Sequence, residues 1–331
     1  MTETSRTPRR RAARILGLLI LTLLGASLLA PDAVDSWADG RDPGWERTLA
    51  RVWADPAGDL ARRLALDVPL RELADLLDGV GSEVARSAVV PAVRPEAGTS
   101  PTTVAPLAAT SERPLRILAV GDSLMLDLQY GMERELDPRM DVVVEGRGAL
   151  GFGFTVPHWD WEDDVLTDYD RLVVEISPDV VVVMIGANEF EEYAVNGEDL
   201  TPGGRRWREV LYERADEAIA HWKAAGAHIY WWTTPRMRDK RFLTDDLNTV
   251  WARASEGWGA GVTLIDSMGV LGDVDGAYRE TMVDDSGTEV PLRKEHGVHF
   301  HEVGADMLAR QLEDRLIADG WLTGPKAGGP L

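Results

Sequence analysis

Four short stretches carry side chains whose types and order suit nucleophilic catalysis by a serine. In Gly121-Asp122-Ser123-Leu124 an apolar run stops at a serine and a helix-compatible segment takes over. A serine at such a junction is either a nucleophile presented at the tip of a helix or an ordinary helix N-cap. The second stretch, Gly146 to Phe154, is dense in glycine. It reads as a flexible turn, or as a place where a backbone N–H can approach an oxyanion because no Cβ blocks it. The third, Gly186-Ala187-Asn188-Glu189, ends a very apolar run. Its asparagine is a turn residue or an amide donor aimed into the same cleft as Ser123. The fourth is His296-Gly297-Val298-His299-Phe300, where a histidine is a base or a plain structural residue.

The elements that must position these stretches can be read from hydropathy. Apolar runs suited to buried strands are Leu115–Val120, Asp141–Glu145, Asp179–Ile185, Ala227–Trp232 and Val262–Ile265. Helical patterns cover Leu124–Leu136, Arg205–Ala225, Leu243–Ser255 and Val303–Ala318. Strands alternating with helices predict an α/β domain with a mostly parallel, five-stranded sheet covered on both faces. Right-handed crossovers put the strand carboxyl ends along one edge, where ligands bind. All four stretches fall at that edge. No Walker or GxGxxG pattern occurs, and no cofactor is expected.

The chain of 331 residues has a formal net charge of -21 and no cysteine. The acidic surface argues against nucleic-acid partners, and the missing cysteine excludes disulfides and thiolate chemistry. The N-terminus differs in character. Arg6, Arg9, Arg10, Arg11 and Arg14 precede Ile15–Ala30, a stretch without charge. That order predicts a cytoplasmic basic tail over 1–14, a signal anchor over 15–30 and an exported body. A cleaved peptide is the alternative, although no clear Ala-x-Ala site follows. Residues 31–84 read as a helical stalk or collar, with Trp45, Leu49 and Trp53 on one helical stripe. Residues 85–114, rich in Pro, Ala and Thr, read as an extended, mobile linker. The main domain spans 115–322, and 323–331 form a flexible tail.

The ordered blocks Gly-Asp-Ser, Gly, Gly-x-Asn and a C-terminal histidine resemble the SGNH, or GDSL, hydrolases. The resemblance covers Leu115 to the end of the last helix. Ile229-Tyr-Trp-Trp-Thr-Thr-Pro-Arg-Met-Arg238 and Val290-Pro-Leu-Arg293 are similar to an exported bacterial branch of that family, associated with O-acylation of cell-envelope polysaccharides. The resemblance implies a three-layer α/β/α, flavodoxin-like domain and an acyl-transfer mechanism. Ser123 is then the nucleophile and its N–H the first oxyanion donor. Gly151 (by register, Gly148 or Gly153) and Asn188 supply the others, and His299 is the base. The acid is where this chain departs from the family. Aspartate is usual three residues before the histidine, and His296 stands there. Glu295 is the nearest replacement, ahead of Asp266, Asp284 and Asp285, or of no acid at all.

Asp122, Trp159 and Arg293 are the expected substrate contacts. Trp159, Trp161, Trp231 and Trp232 suit sugar rings if they face the cleft, and burial is the competing role. Arg236, Arg238 and Arg293 suit an anionic substrate or ordinary ion pairs. His296, His299 and His301 have zinc-ligand chemistry, but no metal is expected of them. The resulting expectation is an extracytoplasmic serine esterase releasing small acyl groups, acetyl foremost, from an envelope glycan, held at the membrane by its anchor and partnered by a membrane O-acyltransferase. An O-acyltransferase using the same serine and a silent glycan-binding or scaffold subunit are the alternatives.

Overall fold

The computed structural model of the chain describes residues 89–95, 106–156, 164–195 and 197–324. These lie in the second of two units, Ser82–Leu331. The expected basic tail, signal anchor and stalk fall outside the described residues, as does Trp159. Among the described residues no helix is long and apolar enough to cross a membrane.

Five strands form a wholly parallel sheet in the order β2-β1-β3-β6-β7. They are β1 (Leu115–Gly121), β2 (Val142–Gly148), β3 (Val180–Met184), β6 (His228–Trp232) and β7 (Val262–Ile265). Two short antiparallel pairs stand apart from it: β4 (Tyr193–Val195) with β5 (Glu198–Leu200), and β8 (Thr281–Val283) with β9 (Glu289–Pro291). The helices are α1 (Ser123–Leu136), α2 (Asp164–Ile176), α3 (Arg205–Trp222), α4 (Thr244–Glu256), the short α5 (Met268–Leu271) and α6 (Glu302–Ala318).

The period-2 alternation of a strand divides the core in two. Leu118, Val120, Val181, Val183, Ile229 and Trp231 face one side and meet α2, α3 and α4. Ile117, Ala119, Val180, Val182, Tyr230 and Trp232 face the other and meet α1 and α6. Central strands buried on both faces explain the continuous Val and Ile runs. The expected three-layer α/β/α arrangement is therefore present. Trp231 and Trp232 are fully buried, and Trp231 stacks on Phe154 with ring centroids 6.1 Å apart. They are core residues, not sugar platforms.

Helix α2 and both hairpins have no counterpart in the sequence reading. The buried stripe of α2, Leu166, Tyr169, Leu172 and Val173, is broken up by Asp168 and Asp170, so its period is hard to see. Part of the expected linker lies against the domain: Ala92 N–H donates to the Ala220 carbonyl at 2.7 Å, and Arg94 pairs with Asp216 at 2.6 Å.

Helix α6 matters most for the site, because it is entered directly from the histidine loop. Its Ala305, Leu308, Ala309, Leu312 and Leu316 are buried at helical spacing. Gly131 of α1 faces it so closely that a Cβ there would lie 2.6 Å from the Ala305 carbonyl carbon. The side chain of Arg139, only 6% exposed, pairs with Asp141 at 2.8 Å and Glu313 at 2.7 Å, fixing α6 to the start of β2. Removing one partner from so buried a cluster costs about 3–5 kcal/mol.

Candidate active site

Strand β1 ends at Gly121, whose φ of +150° is open only to glycine. A Cβ there would come within 1.9 Å of the Met184 carbonyl oxygen. The close approach of β1 to β3 aims the following residues at the strand carboxyl edge. Asp122 then caps α1, its Oδ1 accepting from Leu124 N–H at 2.8 Å. Its Oδ2 accepts from Gly186 N–H at 2.8 Å and Ala187 N–H at 2.6 Å, so one carboxylate joins the serine turn to the asparagine turn. Burial pushes Asp122 up to about 7, against the downward pull of those three N–H groups. Asp122 is not the substrate contact expected from the sequence. It has no exposed surface, and both oxygens serve backbone donors, so its role is to shape the site.

With Asp122 as the cap, Ser123 is the first residue of the helix. Its own N–H has no acceptor among the described residues, as expected of the first N–H groups of a helix. Its Oγ lies 2.9 Å from His299 Nε2. Ser123 and His299 are 176 residues apart, and the packing of α1 on α6 brings them together. Burial lowers the pKa of His299. Lys294, Arg293 and His296 lower it further, and Asp127 opposes them. At neutral pH the imidazole is therefore neutral and able to accept a proton.

The glycine loop is clamped rather than loose. Glu189, wholly buried, accepts from Phe154 N–H, from Thr155 N–H at 2.8 Å and from the Thr155 hydroxyl. Burial raises the pKa of Glu189. The Asn188 amide donates to the Phe152 carbonyl at 2.8 Å and keeps a second N–H. Gly148 N–H is bound to Gln129 Oε1 at 2.8 Å, which removes it as an oxyanion donor. Gly153 N–H shares a planar trans peptide with the Phe152 carbonyl and so points away from the Asn188 amide. Gly151, at φ +71°, sits at the tip of the turn closed by Phe152 N–H on the Ala149 carbonyl, with its N–H unbonded among the described residues. Gly151 N–H and Gly153 N–H both lack an acceptor among the described residues, whereas Gly148 N–H is taken.

Other expected site residues stand elsewhere. Glu295 is exposed and makes no hydrogen bond to His299, so it does not replace the missing aspartate. His296 is exposed too. Asp266 is engaged with Met268 and Gly269 N–H, and Asp284 with Ser286 and Thr288 N–H. Arg293 is buried, donates to the Arg236 carbonyl at 3.2 Å and lies 5.0 Å from the Phe300 ring centroid. Burial brings its pKa down to about 10. It supports the histidine loop from inside and offers no open surface to substrate. Arg236 and Arg238 are paired with Asp245 and Glu280. His301 is the N-cap residue of α6. Among the described residues no three His, Asp or Glu side chains converge as a metal site requires.

Three supporting residues were missed in the sequence. Tyr169 receives Gly121 N–H at 3.1 Å and donates to the Arg147 carbonyl at 2.9 Å, joining the ends of β1 and β2. Gln129 holds Gly148. Asp127 accepts from Phe300 N–H at 2.9 Å and pairs with Lys294 at 2.8 Å. None has a local signal, since each is defined by a distant partner; only the i, i+4 spacing of Asp127 from Ser123 could have drawn notice.

A serine and a histidine meeting at the carboxyl edge of a parallel α/β/α sheet, beside glycine and asparagine turns, define the SGNH, or GDSL, class of hydrolases. The chain belongs to the family described as "protein of unknown function (DUF459)", an SGNH-hydrolase-like family whose model matches residues 116–315. No curated protein matches the sequence. Among solved structures it is similar to a GDSL-like lipase from Bacteroides thetaiotaomicron VPI-5482, with 13% identity and a TM-score of 0.43 over 64% of this chain and 92% of that one. It is also similar to an acetyl xylan esterase, AlAXEase, at 16% identity and a TM-score of 0.41, covering 61% of this chain and 100% of the other. A mutant acetyl-xylooligosaccharide esterase from Geobacillus Stearmophilus shares 15% identity at a TM-score of 0.41, over 65% and 97% of the two chains. Likeness at this level carries no argument about substrate.

Proposed function

We propose that this protein is a serine ester hydrolase that removes small acyl groups, acetyl foremost, from a glycan of the cell envelope. The observation that carries the reading is the 2.9 Å contact between Ser123 Oγ and His299 Nε2. Ser123 attacks the ester carbonyl as His299 takes its proton. The tetrahedral oxyanion is met by Ser123 N–H, Gly151 N–H and the Asn188 amide. Collapse expels the sugar alcohol, which receives the proton from His299 and leaves an acetyl–Ser123 ester. Water, activated by the same imidazole, then releases acetate and restores the serine. The basic residues ahead of Ile15–Ala30 support an anchored, extracytoplasmic placement of the domain.

The test is acetate release from an acetylated oligosaccharide by the full chain, wild type beside Ser123→Ala, with a serine-directed phosphonate as a label. Release and labelling by wild type, both abolished in Ser123→Ala, are the expected results. An unlabelled Ser123 with activity unchanged in the variant overturns the reading. Transfer of acetyl to an added oligosaccharide in preference to water moves the assignment to an acyltransferase.

A further inference from the structure

We propose that Asp127 is the positioning residue that holds His299 on Ser123, in place of the aspartate missing from the histidine loop. The inference rests on Ser123 and His299 being nucleophile and base. Asp127 stands four residues after Ser123 on α1, hence on the same face one turn along. Its Oδ2 accepts the N–H of Phe300, the residue next to His299, at 2.9 Å. Its Oδ1 accepts from Lys294 Nζ at 2.8 Å, at the other end of the same loop. Lys294 N–H in turn donates to the His299 carbonyl at 2.9 Å, and Arg293 bridges to Phe300. One carboxylate therefore grips both limbs of the loop from the helix that carries the nucleophile. The separation of Ser123 and His299 is then set by one helical turn and two hydrogen bonds.

The second effect is electrostatic. As Ser123 attacks, its proton passes to Nε2 and the imidazole becomes a cation. Among the described residues no carboxylate bonds Nδ1 of His299. The titratable and charged groups that bear on the ring are Asp127 from α1, and Lys294, Arg293 and His296 from its own loop. Asp127 alone among them is negative. Its side chain is 11% exposed, so water screens it weakly. A plain ion pair between Asp127 and Lys294 would have neither consequence.

The experiment compares Asp127→Asn and Lys294→Met with wild type in the full chain, following kcat/KM against pH and the His299 imidazole by NMR titration. Asp127→Asn is expected to lower kcat by about 10², the usual loss for a misplaced catalytic group, with little change in KM. It also moves the His299 titration to lower pH. Lys294→Met removes an opposing cation and one limb of the Asp127 grip, so it moves that titration to higher pH and lowers kcat; an unchanged kcat there overturns the inference even if Asp127→Asn does not fold. Titrations that stay in place in the folded variants overturn the inference, as does Asp127→Asn activity within twofold of wild type. Ser123→Ala, run alongside, separates the two ideas. Full activity there removes the serine reading itself, whereas an inactive Ser123→Ala beside a fully active Asp127→Asn removes only the role of Asp127.

Discussion

Gly131 of α1 packs so tightly on Ala305 of α6 that any Cβ at position 131 would meet the Ala305 backbone at 2.6 Å. The contact lies two turns along α1 from Ser123 and one turn along α6 from His301, so it sets how near the serine comes to the histidine loop. Because backbone rather than a flexible side chain is in the way, the two helices themselves must move apart. Gly131→Ala should cost about 1–3 kcal/mol of stability, the usual penalty for overpacking. It should also reduce kcat well beyond its effect on KM. Thermal unfolding beside steady-state kinetics checks both.

The Asn188 amide has one N–H on the Phe152 carbonyl and one to spare. Asn188→Ala should therefore lower kcat by about 10²–10³, the usual loss on removing an oxyanion donor. Phosphonate labelling of Ser123 should slow but persist, since Ser123 and His299 are untouched. Labelling at the wild-type rate would remove Asn188 from the oxyanion site.

Glu189 satisfies three donors of the glycine loop in the interior. Glu189→Ala leaves two backbone N–H groups buried without an acceptor, at about 1–3 kcal/mol each. Stability should fall by several kcal/mol in denaturant titration. Activity should fall too, because Gly151 is carried by the same loop.

The base has to be neutral to act, and burial holds the His299 pKa below the ordinary histidine value. Activity should rise with pH through that lowered pKa, so the acidic limb of kcat/KM lies below about 6.5. The linkage to stability has a matching sign. Between the lowered folded pKa and 6.5 the unfolded chain binds the proton more readily, so this group's contribution is full above that window and is lost as pH falls through it. A pH–rate profile and melts across the same range check the two together.

Glu295, exposed and unbonded to His299, should be replaceable by glutamine with stability within about 0.5 kcal/mol and activity near wild type. Kinetics on Glu295→Gln, set against Asp127→Asn, measure which carboxylate the histidine depends on.

The amino-acid sequence determined the layers and the order of the parts. Short β-branched runs bounded by turn residues, such as Val180–Met184, read as parallel strands covered on both faces, and the apolar spacing in α6 is visible without a fold. Local turn chemistry fixed Gly121, Ser123 and Asn188 at strand ends, because glycine and small polar residues have few other uses there. Signals of this kind depend on residues within a few positions of each other. What supports those parts depends on partners tens to hundreds of residues away, which no periodicity encodes. The Tyr169 hydroxyl on Gly121, the Asp122 carboxylate on Gly186 and Ala187, and Asp127 on Phe300 are of that kind. In the sequence the doubt about His299 led to its neighbours Glu295 and His296. The close packing of α1 on α6 instead brings up the carboxylate of Asp127, from the helix that begins with Ser123.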